Sequence, residues 1–99
     1  MEDKIKRKVK EYLKKAEPLF ENLEIVSNSL QLKENIKKKN VGKVFYEMAI
    51  CYYKDAKHFF DKEEYENALA SLEYAEGWLD AGKLLGILKE KSERENGKH

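Results

Sequence analysis

Apolar residues recur every three or four positions along the first part of the chain, which is the spacing that places them on one side of an α-helix. The series is Ile5, Val9, Tyr12, Leu13, Ala16, Leu19, Phe20, Leu23, Val26 and Leu30. It predicts a first helix from about residue 3 to about residue 26. Pro18 lies inside this helix, but the apolar spacing continues across it, so we expect a kink rather than a break.

A second series follows a short polar turn at Ser27, Asn28 and Ser29. It consists of Leu32, Ile36, Val44, Phe45, Met48, Ala49, Tyr52, Ala56, Phe59 and Phe60. This spacing predicts a second helix over about residues 30–60, and the alternative is a helix that restarts at Asn40. Gly42 interrupts the series, and because glycine is a poor helix former we expect a weak point there.

The third series begins after Asp61, which stands three residues before Glu64 in the arrangement of a capping box. Its inward residues are Tyr65, Ala68, Leu69, Leu72, Ala75, Leu79, Gly82 and Gly86. We expect a third helix over about residues 63–90, followed by a polar tail over residues 91–99 that frays. The three helices predict an all-α domain over residues 1–90, an up-and-down antiparallel three-helix bundle.

The third helix carries a further apolar stripe on another side, formed by Tyr74, Trp78, Ala81, Leu85 and Leu88. In one interpretation the first helix docks there, since a bundle helix packs on two neighbours. In the other, Tyr74, Trp78 and Leu85 stay partly exposed and bind a partner, because aromatic residues anchor interfaces. The interface candidates are therefore Tyr74, Trp78, Leu85 and Leu88.

Glycines within the third helix need a compensating contact, because each costs about 1 kcal/mol relative to alanine. Gly82 and Gly86 stand one turn apart on its inward side. We expect another helix backbone to pack closely against them, and a ligand in the same notch is the alternative.

Composition fits a folded helical domain, with 41% hydrophobic and 39% charged residues and a net charge of +1. The charge is nevertheless uneven. Residues 1–43 hold 12 basic and 7 acidic side chains, whereas residues 44–99 hold 8 basic and 12 acidic ones. The densest basic run, Lys37, Lys38 and Lys39, is the candidate for nucleic-acid binding. In the other interpretation, the two halves are solvated faces that attract each other across the bundle.

Residues with catalytic chemistry are few, so we expect no enzyme activity, no metal site and no cofactor. Cys51 has no neighbouring histidine to activate it and is expected to be buried. His58 stands near Asp55 and Asp61, where we expect surface ion pairing. No apolar segment is long enough to cross a membrane, and no signal-peptide pattern follows Met1, so we expect a cytoplasmic location.

The segment Tyr-Ala-Glu-Gly-Trp-Leu-Asp-Ala-Gly at residues 74–82 is similar to the signature of an archaeal family of short helical domains of unknown function. The resemblance covers about residues 45–88 and implies a left-handed three-helix bundle like a spectrin repeat. Family members have a Gly-Asp pair before the tyrosine of the turn, where this chain has Glu63 and Glu64. The same hairpin also resembles a single tetratricopeptide unit, of which the chain has no second copy.

These observations favour a non-catalytic helical domain that binds a protein partner or a second copy of itself. The alternative function is a nucleic-acid-binding or nuclease-related helical domain that uses the basic N-terminal half. Neither alternative involves a membrane.

Overall fold

Three helices and two short strands make up the part of the chain that the computed structural model describes, residues 4–26 and 38–91. The elements are α1 (Lys4–Glu21), β1 (Leu23–Ile25), α2 (Lys38–Asp61), α3 (Tyr65–Leu84) and β2 (Leu88–Glu90). Residues 27–37 and 92–99 lie outside the described residues, and with them the predicted start of the second helix and the predicted tail.

Contacts between the helices fix their directions. The start of α1 lies at the start of α3, where the Lys6 ammonium is 6.0 Å from the centre of the Tyr65 ring. Further along both helices the Tyr12 hydroxyl donates a hydrogen bond to Glu76. The Phe20 ring at the end of α1 stacks on Tyr53 of α2 at 4.7 Å, and the Phe60 ring at the end of α2 meets Tyr65 at 5.3 Å. Helices α1 and α3 therefore run parallel with α2 antiparallel between them, which confirms the all-α, up-and-down arrangement.

The core lies where the three helices and the small sheet meet, and its residues come from all five elements. They are Val9, Ala16, Phe20, Leu23, Ala49, Tyr53, Ala56, Ala68, Leu72, Ala75, Leu79, Ile87 and Leu88. Ala49 and Ala56 on α2 and Ala68 and Ala75 on α3 are fully buried, so these two helices pack closely along their length. The α2/α3 hairpin is consequently the main body of the bundle, and α1 covers one side of it.

Both strands occupy positions where the sequence predicts helix. The structure ends α1 at Glu21 rather than near residue 26, and β1 pairs antiparallel with β2, Leu23 opposite Glu90 and Ile25 opposite Leu88. A strand of three residues is too short for its two-residue period to show, whereas Leu23 and Val26, three positions apart, continue the helical spacing of the preceding apolar residues. The sheet closes the end of the bundle at which α1 and α3 finish.

The turn after α3 explains why this helix stops at Leu84 rather than near residue 90. Gly86 has a φ of 77°, its N–H bonds to the Lys83 carbonyl, and the Ile87 N–H bonds to the Gly82 carbonyl. This pair of bonds is the Schellman motif, in which a left-handed residue ends the helix. Gly86 therefore provides a turn and is not a close-packing residue inside a helix.

The turn between α2 and α3 has the same bonding pattern around a less suitable residue. The Glu63 N–H bonds to the Phe60 carbonyl and the Glu64 N–H to the Phe59 carbonyl, while Glu63 adopts a φ of 66°. Asp61 ends α2 and does not cap α3, which has no side-chain cap. The left-handed turn thus forms around Glu63, although glycine adopts this conformation with less strain.

Gly82 and Gly42 lie against the sheet. A β-carbon on Gly82 would be 2.6 Å from Cγ of Leu88, and one on Gly42 would be 2.8 Å from Cγ2 of Ile25. Close packing at Gly82 is thus made by a side chain of β2 and not by a helix backbone. Gly42 lies within α2, where the absence of a side chain lets β1 approach.

Candidate functional site

One side of the α2/α3 hairpin faces away from α1. Glu76 contacts Tyr12 of α1, and Trp78 lies two residues further along α3. At about 100° per residue this places Trp78 roughly 200° around the helix from Glu76. The apolar residues around Trp78 are therefore on the outer side of the hairpin, where α1 does not dock.

Two aromatic pairs join α2 and α3 on this outer side. The Phe45 ring meets Trp78 edge to face, with centroids 5.0 Å apart, and the Tyr52 ring stacks on Tyr74 at 5.3 Å. Such pairs contribute about 0.5–1.5 kcal/mol beyond the area that they bury. They hold Tyr74 and Trp78 in place although both side chains remain accessible to solvent.

A groove of about 350 Å³ lies beside these rings. We call it the outer groove, and it is lined by Phe45, Glu73, Tyr74, Gly77, Trp78 and Ala81. Gly77 forms part of its wall, and a β-carbon added there would meet nothing within 4 Å beyond its own helix turn. Packing within the described residues therefore gives no reason for glycine at this position.

Apolar side chains continue this surface toward the end of the bundle that carries the sheet. Tyr74 is 62% and Leu84 87% exposed on α3, and Leu85, the residue that follows α3, is 42% exposed. Exposed large apolar groups that cluster in this way are typical of interaction surfaces. The outer side of the hairpin is thus a surface of partly covered aromatic and uncovered aliphatic groups.

The structure brings three of the four predicted interface residues together and separates the fourth. Tyr74, Trp78 and Leu85 lie on the outer side, but Leu88 is in β2 and only 2% exposed. Leu88 leaves the stripe because the helix ends before it, at Leu84. Sequence reasoning also missed Leu84, although its spacing of seven residues from Gly77 was a signal that both lie on one side.

Carboxylates line α3 along the edge of this surface. Glu66, Glu73 and Asp80 follow one another at intervals of seven residues, and all three are exposed. Within the described ranges none of them forms an ion pair, and α3 carries no basic residue between Tyr65 and Gly82. The outer groove thus has a negative border on its α3 side.

The negative charge of α3 also affects the pKa of Tyr12, the α1 residue that contacts Glu76. Burial raises the pKa of the Tyr12 hydroxyl above its usual range, and the hydrogen bond to Glu76 and the charges of Glu73 and Asp80 raise it further. Burial likewise raises the pKa of Tyr53, with smaller effects from Glu21 and Glu17. Both hydroxyls therefore stay protonated to a higher pH than an ordinary tyrosine does.

The remaining candidate residues do not gather into a site. Lys37 lies outside the described residues, and Lys38 and Lys39 begin α2 with side chains that are not described. Cys51 is exposed on α2, contrary to the expectation that it is buried. No three His, Cys, Asp or Glu side chains in the described ranges are grouped to hold a metal ion. Among the same residues, no helix has the length and apolarity to cross a membrane.

One known protein family matches most of the chain. A family model described as "Protein of unknown function (DUF357)" matches residues 12–88. The chain belongs to the DUF357 family. The matched span contains all of α2 and α3, and with them every residue that lines the outer groove. No curated protein and no solved structure matches the chain.

Proposed function

We propose that this DUF357 protein is a non-catalytic helical domain that binds a protein partner through the outer groove. The observation that carries the proposal is the open space in front of Gly77. This residue lies in the middle of α3, where glycine costs about 1 kcal/mol relative to alanine, and no described residue uses the space in front of it. A partner that approaches α3 closely at this point would account for the missing side chain.

The surroundings of Gly77 support a protein partner rather than a small molecule. The groove is shallow and open, and the apolar groups extend past it to Leu84 and Leu85. Tyr74 and Trp78 provide the large, rigid aromatic groups that contribute most to protein interfaces. Both are held by rings of α2, so little side-chain entropy is lost on binding.

Site-specific photo-crosslinking tests the proposal. A photoreactive phenylalanine analogue replaces Tyr74 in the full chain, expressed in the cells that naturally make it. A matched chain carries the analogue at Glu11, which is exposed on α1. We expect discrete protein adducts from position 74, none at the same masses from position 11, and their loss when excess unmodified chain competes. Identical adducts from both positions, or none from position 74, would contradict the proposal.

A further inference from the structure

We infer that the element bound in the outer groove is an amphipathic helix with basic side chains along one edge. This inference rests on the proposed function and adds to it the chemistry of the partner. The observations that carry it are the spacing of the exposed apolar residues on α3 and the unpaired carboxylates beside them.

The exposed apolar residues of α3 have the spacing of a helix-packing surface. They form what we call the apolar stripe, which consists of Ala70, Tyr74, Gly77, Ala81 and Leu84. Successive members are four, three, four and three residues apart, as in the contact positions of a coiled coil. At 1.5 Å per residue the stripe is about 21 Å long, which is four turns of a facing helix.

Gly77 lies at the centre of the apolar stripe, with two members on either side. Small residues at a crossing point let two helix backbones approach each other closely. Ala70 and Ala81 leave further space on both sides of Gly77, while Tyr74 and Leu84 project beyond it. This alternation of small and large side chains provides the holes and knobs that a second helix can fill.

The carboxylates decide which kind of helix fits. Glu66, Glu73 and Asp80 form what we call the acidic edge, one carboxylate about every 10 Å along the apolar stripe. Because no described basic residue pairs with them, a helix laid on the apolar stripe meets negative charge along one side. Lysine or arginine at intervals of seven residues on that helix would pair with all three.

The same charges disfavour a second copy of this chain. In an antiparallel pairing of two α3 helices about a twofold axis at Gly77, identical edges coincide, so Glu73 of one copy comes near Asp80 of the other. Like charges at this spacing repel. Helix α1 is rich in lysine, but its apolar side, with Val9 and Phe20, is buried inside its own bundle. The partner helix therefore belongs to a different chain.

Trp78 reports the occupation of the groove, because it is the single tryptophan of the chain and lines the outer groove. The probes are three synthetic 21-residue peptides without tryptophan. The first has leucine and alanine at coiled-coil contact positions and lysine along one edge, the second has glutamate in place of those lysines, and the third contains the residues of the first in scrambled order. Each is titrated into the full chain while Trp78 emission is recorded.

We expect the lysine peptide to shift Trp78 emission to the blue and to bind about fivefold to tenfold more tightly than the glutamate peptide at low salt, with the advantage shrinking at 0.5 M salt. The double variant Glu73→Lys/Asp80→Lys reverses the preference. The double variant Glu11→Lys/Glu47→Lys, which changes the net charge equally at exposed positions outside the groove, preserves it.

Several outcomes would overturn the inference. In one such outcome, the lysine and glutamate peptides bind equally well and Gly77→Leu blocks both. This result would refute a basic edge on the partner helix but would leave the outer groove as the binding site. Binding of the scrambled peptide as tight as that of the first, or no binding of either helical peptide, would refute a helical partner. A dimer of the chain in sedimentation equilibrium that Gly77→Leu dissociates would assign the groove to a second copy. The proposed function itself fails only on the crosslinking result at position 74.

Discussion

Gly77 and Gly82 lie five residues apart in α3, and a β-carbon would meet very different surroundings at the two positions. At Gly77 it would enter open space, whereas at Gly82 it would collide with Leu88. Sequence reasoning placed Gly82 on the inward side of the third helix but expected a helix backbone against it, because helical spacing says nothing about a strand that folds back onto the helix. The structure thus gives the two glycines separate roles, one toward the core and one toward the surface.

Alanine substitutions should distinguish these roles. Gly77→Ala should raise the free energy of unfolding by up to about 1 kcal/mol, since alanine favours the helix and meets no obstacle. Gly82→Ala should lower it by about 1–2 kcal/mol, because displacement of Leu88 outweighs the gain in helix propensity. Urea denaturation followed by circular dichroism measures both changes. Two changes of the same sign would contradict the packing at one of the positions.

Glu63 is a second residue whose substitution should stabilise the protein. It adopts a left-handed conformation in the turn between α2 and α3. Because this conformation strains any residue with a β-carbon, Glu63→Gly should raise the free energy of unfolding by about 1 kcal/mol. The matched control is Glu73→Gly inside α3, which should lower it by about 0.5–1 kcal/mol. If thermal unfolding showed both variants to be destabilised, Glu63 would not be strained.

At the scale of the elements, the helix interiors could be predicted, but the C-terminal ends of α1 and α3 could not. Apolar spacing placed Val9 and Phe20 on the inward side of the first helix, and Leu72 and Leu79 on that of the third, where the structure buries them. The end of α1 at Glu21 depends on the pairing of β1 with β2, residues more than 60 positions apart, whereas the end of α3 at Leu84 is set by the left-handed turn at Gly86. Local periodicity contains no information on such a contact.

The candidate site could likewise be predicted only in part, because its exposure depends on contacts between distant residues. Tyr74, Trp78 and Leu85 could be singled out because their helix carries more apolar surface than one stripe requires. Whether α1 covers them depends on which side of the hairpin it packs against, and that is decided by contacts such as Tyr12 with Glu76. The sequence did not distinguish the two sides, so both interpretations remained until the structure placed α1.

The packing of β2 on α3 should appear as coupling between Leu88 and Gly82. Leu88→Ala should lower the free energy of unfolding by about 2–4 kcal/mol through loss of a buried side chain. In the double variant, alanine at position 82 no longer meets the end of the leucine, so its cost should shrink by about 0.5–2 kcal/mol. A double-mutant cycle by urea denaturation measures this difference. Strict additivity would mean that the two residues do not touch.

The docking of α1 on α3 should weaken at high pH. The pKa of Tyr12 is raised in the folded state, so above the usual tyrosine pKa of about 10 the unfolded chain loses its proton first. The contribution of Tyr12 to the free energy of unfolding should therefore be constant below pH 9 and fall as the pH rises past 10. Tyr12→Phe should make the fall of the whole free energy of unfolding shallower, although Tyr53 retains part of it. Urea unfolding between pH 8 and 11 tests this, and an unchanged slope would contradict the role of Tyr12.

At the scale of the whole molecule, the uneven charge of the chain has a specific location. The charge of the C-terminal half is concentrated along α3, where the acidic edge borders an apolar surface that α1 leaves uncovered. A near-neutral total charge conceals this arrangement, because lysines of the N-terminal half balance it. The fold of this DUF357 protein therefore presents one side to its own core and leaves a different side uncovered, which is the side that we propose binds a partner.

The substitution Gly77→Leu tests most sharply whether the outer groove binds a partner without being part of the core. Gly77→Leu fills the open space in the outer groove without touching the core, so it should raise the melting temperature by several degrees. In the same preparation, the adducts formed by the photoreactive group at position 74 should fall at least tenfold, because the partner can no longer approach α3. A more stable protein that has lost its partner is the predicted result. Undiminished adducts in the stabilised variant would contradict the account.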